Sequence, residues 1–309
     1  MSINYYLICI SIIVFILSYF GTKYMVQLMP KLKIMAIPES RSNHMLPTPV
    51  GGGVAIISST IIGLCLLSTI IQIDVYVIQI ILLSLPLVLI SFIDDVKNIS
   101  IFIRLVLHIT VSICAIMLIP SNNLIFNGLF PYTTDRIFAS LLLAWFINCY
   151  NFMDGIDGMA GCETIHISIS ILLLNLITHT LSISFNYLNV FIILSSCGFL
   201  IWNWHPARIF MGDTGSITLG FILGCTLLHI ASKGLFLQAL LIPLYYILDA
   251  GITMVRRLIT KQNIFKAHSE HFFQQAVRRG LSHATVVKKV ILLNLVLLLL
   301  TLISVIIKL

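Results

Sequence analysis

The sequence predicts an all-α polytopic integral membrane protein with about ten transmembrane helices and both termini outside the cytoplasm. Three observations carry this. The 309 residues are 59% hydrophobic and only 9% charged, where a soluble chain carries about 25% charge. Apolar runs near the roughly 20 residues needed to cross a bilayer recur along the whole length. The polar residues fall between these runs, and cations crowd into every second loop.

The first run, 3–26, has no Lys or Arg before it and no small-x-small site after it, so it reads as a retained span and not a cleaved leader. The others are 51–71, 75–93, 101–119, 136–152, 163–180, 185–203, 215–231, 234–254 and 289–307. No repeat or low-complexity stretch divides them, and 1–309 reads as one domain. The seven cysteines show no CxxC pair and lie mostly in apolar runs. That predicts buried free thiols, with neither disulfides nor a cysteine metal site.

Ten spans sort the loops into two sets. The odd-numbered loops hold or flank Lys23, Lys31, Lys33, Arg41, Lys97, Arg104, Arg208, Arg256, Arg257, Lys261, Lys266, Arg278, Arg279, Lys288 and Lys289, whereas the even side keeps only Arg136, Lys233 and Lys308. The positive-inside rule makes the odd loops cytoplasmic. The net charge of +7 follows from this bias and from anionic headgroups of the lipid bilayer. No soluble basic face is left for nucleic acid. Glu39, Asp94, Asp95, Asp154, Asp157, Glu163, Asp213 and Glu270 gather on the same side, while Asp74 and Asp135 fall opposite and Asp249 lies within the ninth run.

Loop one runs Ile37-Pro-Glu-Ser-Arg-Ser-Asn-His44, then Pro47-Thr-Pro-Val-Gly-Gly-Gly53. Its glycines allow close backbone approach, and Arg41 and His44 are candidate anion contacts. The plain alternative is a positively charged loop with a glycine face that packs another helix, or a second copy as a homodimer. In loop two, Asp94 and Asp95 end an apolar span, a costly place for acids unless they are paired or bind metal. Adjacent residues do not share a helix face, so the two are expected to do different jobs. One would serve a metal or phosphate and the other would hold Lys97 or a loop. A solvated helix end is the simpler reading.

Loop three holds Asn148, Asn151, Asp154 and Asp157, spaced by three. Each step of three turns a helix by about 300°, so all four share a site only if the helix breaks, and Gly155 and Gly158 mark where. Such oxygen donors suit Mg2+, with Mn2+ an alternative. In loop four, Gly212 and Gly215 flank Asp213 ahead of a helix start, which resembles a phosphate cradle. Arg208 is placed to neutralise phosphate and Phe210 to stack on a base, while Trp202 and Trp204 read as interfacial belt residues. Loop five carries His268 and His271, which at i,i+3 would share a helix face. They lack a zinc signature, so phosphate contact or proton transfer is expected of them. The alternative is a basic amphipathic helix on the membrane surface.

Taken together, Asp94-Asp95, Asn148-x-x-Asn151-x-x-Asp154-Gly-x-Asp157-Gly158, Phe210-Met-Gly-Asp213-x-Gly-Ser216 and the last His-rich loop resemble the polyprenyl-phosphate N-acetylhexosamine-1-phosphate transferases (glycosyltransferase family 4). The resemblance covers nearly the whole chain in order. It implies transfer of N-acetylhexosamine 1-phosphate from a UDP-sugar to undecaprenyl phosphate at the bacterial cytoplasmic membrane. It further implies metal ligation by Asp154 and Asp213, and catalysis by Asp94, Asp95, Asp157, His268 and His271. Substrate contacts would come from Arg41, His44, Asn148, Asn151, Arg208 and Phe210. Glu270 stands where several members carry a third histidine. Loop one resembles the O-antigen-initiating branch more than the peptidoglycan branch.

Three other classes compete. A membrane prenyltransferase also holds Mg2+-diphosphate with acid pairs, but the Asp94-Asp95 stretch lacks its later Asp. A CDP-alcohol phosphotransferase expects residues that do not follow Asp154-Gly155. A secondary transporter predicts midplane charges and pseudo-repeats, whereas the acids here sit mainly at one edge.

Overall fold

A computed structural model describes residues 3–38, 44, 46–97, 99–263 and 268–307; Arg41 lies outside the described residues. The chain is an all-α polytopic membrane protein. Its helices are α1 (Ile3–Lys31), α2 (Gly52–Ser68), α3 (Val75–Lys97), α4 (Ile101–Met117), α5 (Tyr132–Met153), α6 (Met159–Thr178), α7 (Ile183–Asn203), α8 (Asp213–Ile230), α9 (Phe236–Leu241), α10 (Leu244–Ile259), α11 (Phe272–Arg278) and α12 (His283–Ile306). A two-residue antiparallel pair, β1 (Met35–Ala36) with β2 (Thr48–Pro49), closes loop one.

Among the described residues, seven stretches are long and apolar enough to cross a membrane, and α2 and α4 are shorter apolar helices. Nine of the ten expected runs correspond to one helix each, with ends shifted by up to six residues. The ninth differs. Helix α8 continues through a π turn to α9, bent where Gly234 takes φ 86°. Pro243 then divides α9 from α10, because its ring cannot donate a backbone bond and clashes with the preceding turn. The expected run 234–254 is therefore two short helices.

Helix α8 is the axis of the bundle. It is buried nearly throughout and packs against α2, α3 and α5. Lipid-facing positions lie elsewhere, as with Leu82, Leu89, Phe102, Leu292 and Leu299. Between helices, where lipid offers no hydrophobic driving force, small polar groups link the elements. Ser18 Oγ donates to Ser195 O at 2.5 Å, and Thr60 Oγ1 lies 3.0 Å from Ser195 Oγ, joining α1, α2 and α7. At one end, Asp135 accepts the amides of Ile125 and Phe126, and Arg136 donates to the carbonyls of Ile119, Pro120 and Asn123. The opposite end carries the acid-rich loops.

The glycines of loop one dock onto loop four. Gly51, Gly52 and Gly53 donate their amides to Phe210 O, Phe210 O and Met211 O at 3.2, 3.0 and 2.9 Å. A methyl on Gly53 would lie 2.2 Å from Gly215 Cα, so only glycine permits this approach. The glycine face is consumed within the chain, and the homodimer expected from it loses its basis. All seven cysteines are free. Cys149 and Cys225 are buried, while Cys9, Cys65 and Cys114 are exposed, against the expectation of buried thiols. Trp202 and Trp204 are half-buried against the core, where Trp204 covers Gly158.

Candidate active site

A cleft of about 350 Å³ opens at the acid-rich end. The C-termini of α3 and α5, the N-terminus of α8, loop one and the segment before α11 form its walls. Asp95, Asn151, Asp154, Asp157, Asp213, His44, Phe210, His268 and His283 line it.

The expected helix break is present. Helix α5 stops at Met153, Asp154 leaves helical geometry with ψ 59°, and Gly158 caps α6 from the left-handed region at φ 78°. Asn151 therefore stays on the last turn of α5, while Asp154 and Asp157 reach the cleft from the turn beyond it. Asn151 Nδ2 donates to Asp213 Oδ1 and Ser216 Oγ, both at 2.9 Å. Asn148 is turned away, donating to Ala144 O at 2.7 Å and bonding His108. Its expected substrate contact is corrected, because it lies on an unbroken part of α5 facing α4.

The two loop-two acids do separate jobs. Asp95 caps α8, accepting the amides of Asp213 and Thr214 at 2.9 and 3.2 Å and the Thr214 hydroxyl at 2.7 Å. The helix start that resembled a phosphate cradle is thus filled by a carboxylate of the chain itself, which satisfies the orphan amides. Gly212, at φ 78°, leaves room for it, since a methyl there would lie 2.9 Å from Asp95 Oδ2. Asp94 is buried and does not line the cleft. It accepts Ile99 N at 2.5 Å and an ion pair from Arg104, not from the expected Lys97. The same Arg104 Nη1 lies 2.7 Å from Asp213 Oδ2. A single guanidinium thus joins the ends of α3, α4 and α8.

Asp157 sits among donors. His205 Nδ1 lies 2.6 Å from its Oδ2, the Ala207 amide donates to the same oxygen at 3.1 Å, and His283 Nδ1 lies 3.2 Å from Oδ1. Burial acts to raise this acid, but the hydrogen bonds from His283, His205 and Ala207 outweigh it and hold the carboxyl below its ordinary value. Asp154 is the opposite case. Burial, then the charges of Asp213, Asp95 and Asp157, push its carboxyl up to about 7.

The two histidines of loop five part company. Helix α11 begins at Phe272, so His268 is not helical and His271 is the N-cap residue. His268 faces the cleft, and burial, then His271 and Arg257, hold it down at about 4, so it is neutral at pH 7. His271 is buried, with Nδ1 3.1 Å from Asp249 Oδ1 and its ring stacked on Phe273. Asp249 also accepts the amides of Phe272 and Phe273 at 3.0 and 3.3 Å. His271 does not line the cleft, and the catalytic part expected of it is corrected to that of a buried anchor for α11. Arg208 is corrected too: it is exposed, 5.5 Å over the Trp202 ring, and does not line the cleft. Phe210 and His44 meet edge to face at the rim, with centroids 5.0 Å apart.

Sequence reasoning missed Arg104, His205 and His283 as parts of the site. It also missed Asn203, which accepts Gly158 N at 2.9 Å and donates to Ile209 O at 2.8 Å. None of these lies in a polar cluster with a spacing of its own. The one available signal was the cost of an arginine at the start of an apolar run.

The fold and the cleft define a multi-pass helical membrane protein that concentrates carboxylates, one guanidinium and aromatic rings at one end of its bundle. Residues 77–231 match the family model described as glycosyl transferase family 4, and the chain belongs to that family. It is 28% identical to the probable undecaprenyl-phosphate N-acetylglucosaminyl 1-phosphate transferase of Bacillus subtilis (strain 168), over 82% of this chain and 72% of the relative. It is 26% identical to the undecaprenyl-phosphate alpha-N-acetylglucosaminyl 1-phosphate transferase of Thermotoga maritima, over 85% and 80%. It is 30% identical to the phospho-N-acetylmuramoyl-pentapeptide-transferase of Orientia tsutsugamushi (strain Ikeda), over 81% and 77%.

Proposed function

We propose that the cleft transfers N-acetylglucosamine 1-phosphate from UDP-N-acetylglucosamine to undecaprenyl phosphate, releasing UMP. The observation that carries this reading is the convergence of Asp95, Asp154, Asp157 and Asp213 on one cleft beside Arg104, at a membrane-facing end of the bundle. The charge segregation of the loops supports a cytoplasmic site in the bacterial inner membrane. The loop-one pattern supports a product that starts a lipid-linked envelope glycan of the O-antigen kind.

An oxygen of the lipid phosphate attacks the β-phosphorus of the donor. The bond from that phosphorus to the bridging oxygen breaks, and UMP departs with the oxygen. A phosphate monoester has a second pKa of about 6, so the acceptor is already largely dianionic near neutrality and needs little help from a base. Phosphoryl transfer demands mainly positioning and charge neutralisation. Asp94 and Asp95 are both engaged, by Arg104 and by the α8 amides, which favours direct attack over a phospho-aspartyl route. Arg104 supplies fixed positive charge, and Asn151 fixes the rotamer of Asp213. The Phe210–His44 pair offers a face for uracil.

The donor set fits Mg2+. Asp154 is raised by burial and then by the neighbouring charges of Asp213, Asp95 and Asp157, an excess of buried negative charge that a cation would relieve, and hard oxygen donors match that ion. Asp154 and Asp213 would hold it, and it would neutralise charge on the donor diphosphate.

The test is an assay of purified membranes with labelled UDP-N-acetylglucosamine, undecaprenyl phosphate and Mg2+. Label in lipid and UMP release are expected together, and Asp213→Asn should abolish both. The similarity to the Orientia relative supports a second donor, UDP-N-acetylmuramoyl-pentapeptide, as the parallel arm. Turnover of that donor alone would replace the sugar assignment. Absence of either product with both donors would end the transferase reading.

A further inference from the structure

The Asp157 cluster has a donor set unlike the rest of the cleft. Asp154 and Asp213 offer oxygen alone, whereas Asp157 stands between two imidazoles. One carboxylate oxygen of Asp157 and one ring nitrogen each of His205 and His283 lie within 4.8 Å of one another, although His283 Nδ1 now accepts the Asp157 backbone amide at 3.3 Å, a bond that metal binding through that nitrogen would replace. The three residues come from three separate parts of the chain: the α5–α6 turn, the α7–α8 loop and the first residue of α12. We propose that Asp157, His205 and His283 form a second cation site, for a borderline transition metal such as Zn2+, beside the oxygen-lined Mg2+ position. This proposal does not rest on the transferase reading.

Imidazole with one carboxylate suits Zn2+, Co2+ or Ni2+, while Mg2+ prefers oxygen and keeps its waters. At Zn–N and Zn–O lengths of about 2.0–2.2 Å, tetrahedral ligand atoms stand about 3.3 Å apart. His205 Nδ1 now lies 2.6 Å from Oδ2 and His283 Nδ1 3.2 Å from Oδ1, so binding through a single carboxylate oxygen needs side-chain adjustments that bring ligand atoms now up to 4.8 Å apart to that spacing, a closure of up to about 1.5 Å. Oδ2 of the carboxylate also accepts the Ala207 amide at 3.1 Å, the kind of outer support that metal-bound carboxylates have. An entry path exists, because the His205 side chain is 37% exposed. Asp157 and His283 also border the main cleft, which leaves a fourth ligand position for water or a phosphate oxygen. A metal here would clip the α5–α6 turn to α12 and fix one wall of the cleft.

The experiment uses the full-length protein in detergent, stripped with chelator and titrated with Co2+ alone. Visible absorption of tetrahedral intensity, saturating at one equivalent and displaced by Zn2+, is expected. His205→Ala and His283→Ala should each weaken that signal at least tenfold, whereas Asp154→Asn and Asp213→Asn should keep it. Thermal unfolding should shift upward with Zn2+ in wild type and not in His205→Asn, a mild change at a partly exposed position. Two results would overturn the site. One is no tetrahedral absorption in a folded wild-type protein. The other is absorption that survives both histidine variants but disappears in Asp154→Asn or Asp213→Asn, which would place Co2+ in the oxygen-lined position.

Discussion

Asp95 holds the backbone amide of Asp213 at 2.9 Å, so one acid of the cleft caps the helix on which another begins. The cap also takes the Thr214 amide and hydroxyl. Asp95→Asn keeps an acceptor but removes the charge opposite the helix dipole. A stability loss of about 1 kcal/mol is expected, with transferase activity falling far more, about 10²-fold or beyond. Thermal unfolding and turnover measured on one preparation check this. Equal fractional losses in folded protein and activity would reduce Asp95 to a cap alone.

Asp154 sets a pH dependence. Its carboxyl is up at about 7, so a cation that needs the ionised form competes with a proton below that pH. Mg2+ affinity should therefore rise with pH up to about 7 and flatten above. Without metal the sign reverses for stability. A group whose folded pKa lies above its unfolded value of about 3.9 contributes stability below that value, and the contribution is lost as pH rises through 7. Chelated protein should thus unfold more easily at pH 7.5 than at pH 5.5. Asp154→Asn should flatten both profiles. His268→Gln should leave the Mg2+ affinity profile unchanged, because His268 is held down at about 4 and stays neutral in the folded protein across this range.

Asn148 and Asn151 share a motif but not a place. Asn151→Ala removes the hydrogen bond that fixes Asp213 and should lower kcat by about 10²-fold. Asn148→Ala loses only a bond to Ala144 O and the contact with His108. It should cost about 1 kcal/mol of stability and change kcat less than threefold. Steady-state kinetics on the two variants decides between this and a shared substrate contact.

His271 and Asp249 form a buried pair that anchors α11. Asp249→Ala should destabilise the protein by about 2–4 kcal/mol, because it strips the buried His271 ring and the Phe272 and Phe273 amides of their acceptor, and His271→Ala should cost less, because Asp249 keeps those two amides. The residual folded fraction should retain its donor KM. A KM increase without loss of melting temperature would return His271 to substrate contact.

Most spans were legible because a bilayer demands long apolar runs whatever the chain does elsewhere. The break after α5 was legible too, since Gly155 and Gly158 interrupt a threefold spacing that a straight helix cannot bring together. What stayed hidden depends on which loop meets which. Nothing local in Ile101–Met117 tells that Arg104 reaches Asp94 and Asp213, and His205 and His283 are 78 residues apart in numbering before Asp157 joins them. His271 was misread because its spacing from His268 assumed a helix, whereas α11 begins at Phe272, one residue after His271 and four after His268. Asp95 looked like chemistry because a cap and a ligand are the same residue type at a helix end.

The Gly53–Gly215 contact has a consequence for anyone exchanging segments between members of this family. At Gly53 and Gly215 the two stretches meet main chain to main chain, with the Met211 side chain packed against Gly215. Fit there is all or nothing. A chimera with its crossover between residues 53 and 212 inherits the two halves of this joint from different parents, and should assemble only where both parents keep glycine and the same loop length. Crossovers placed before residue 48 or after residue 216 carry the joint over whole.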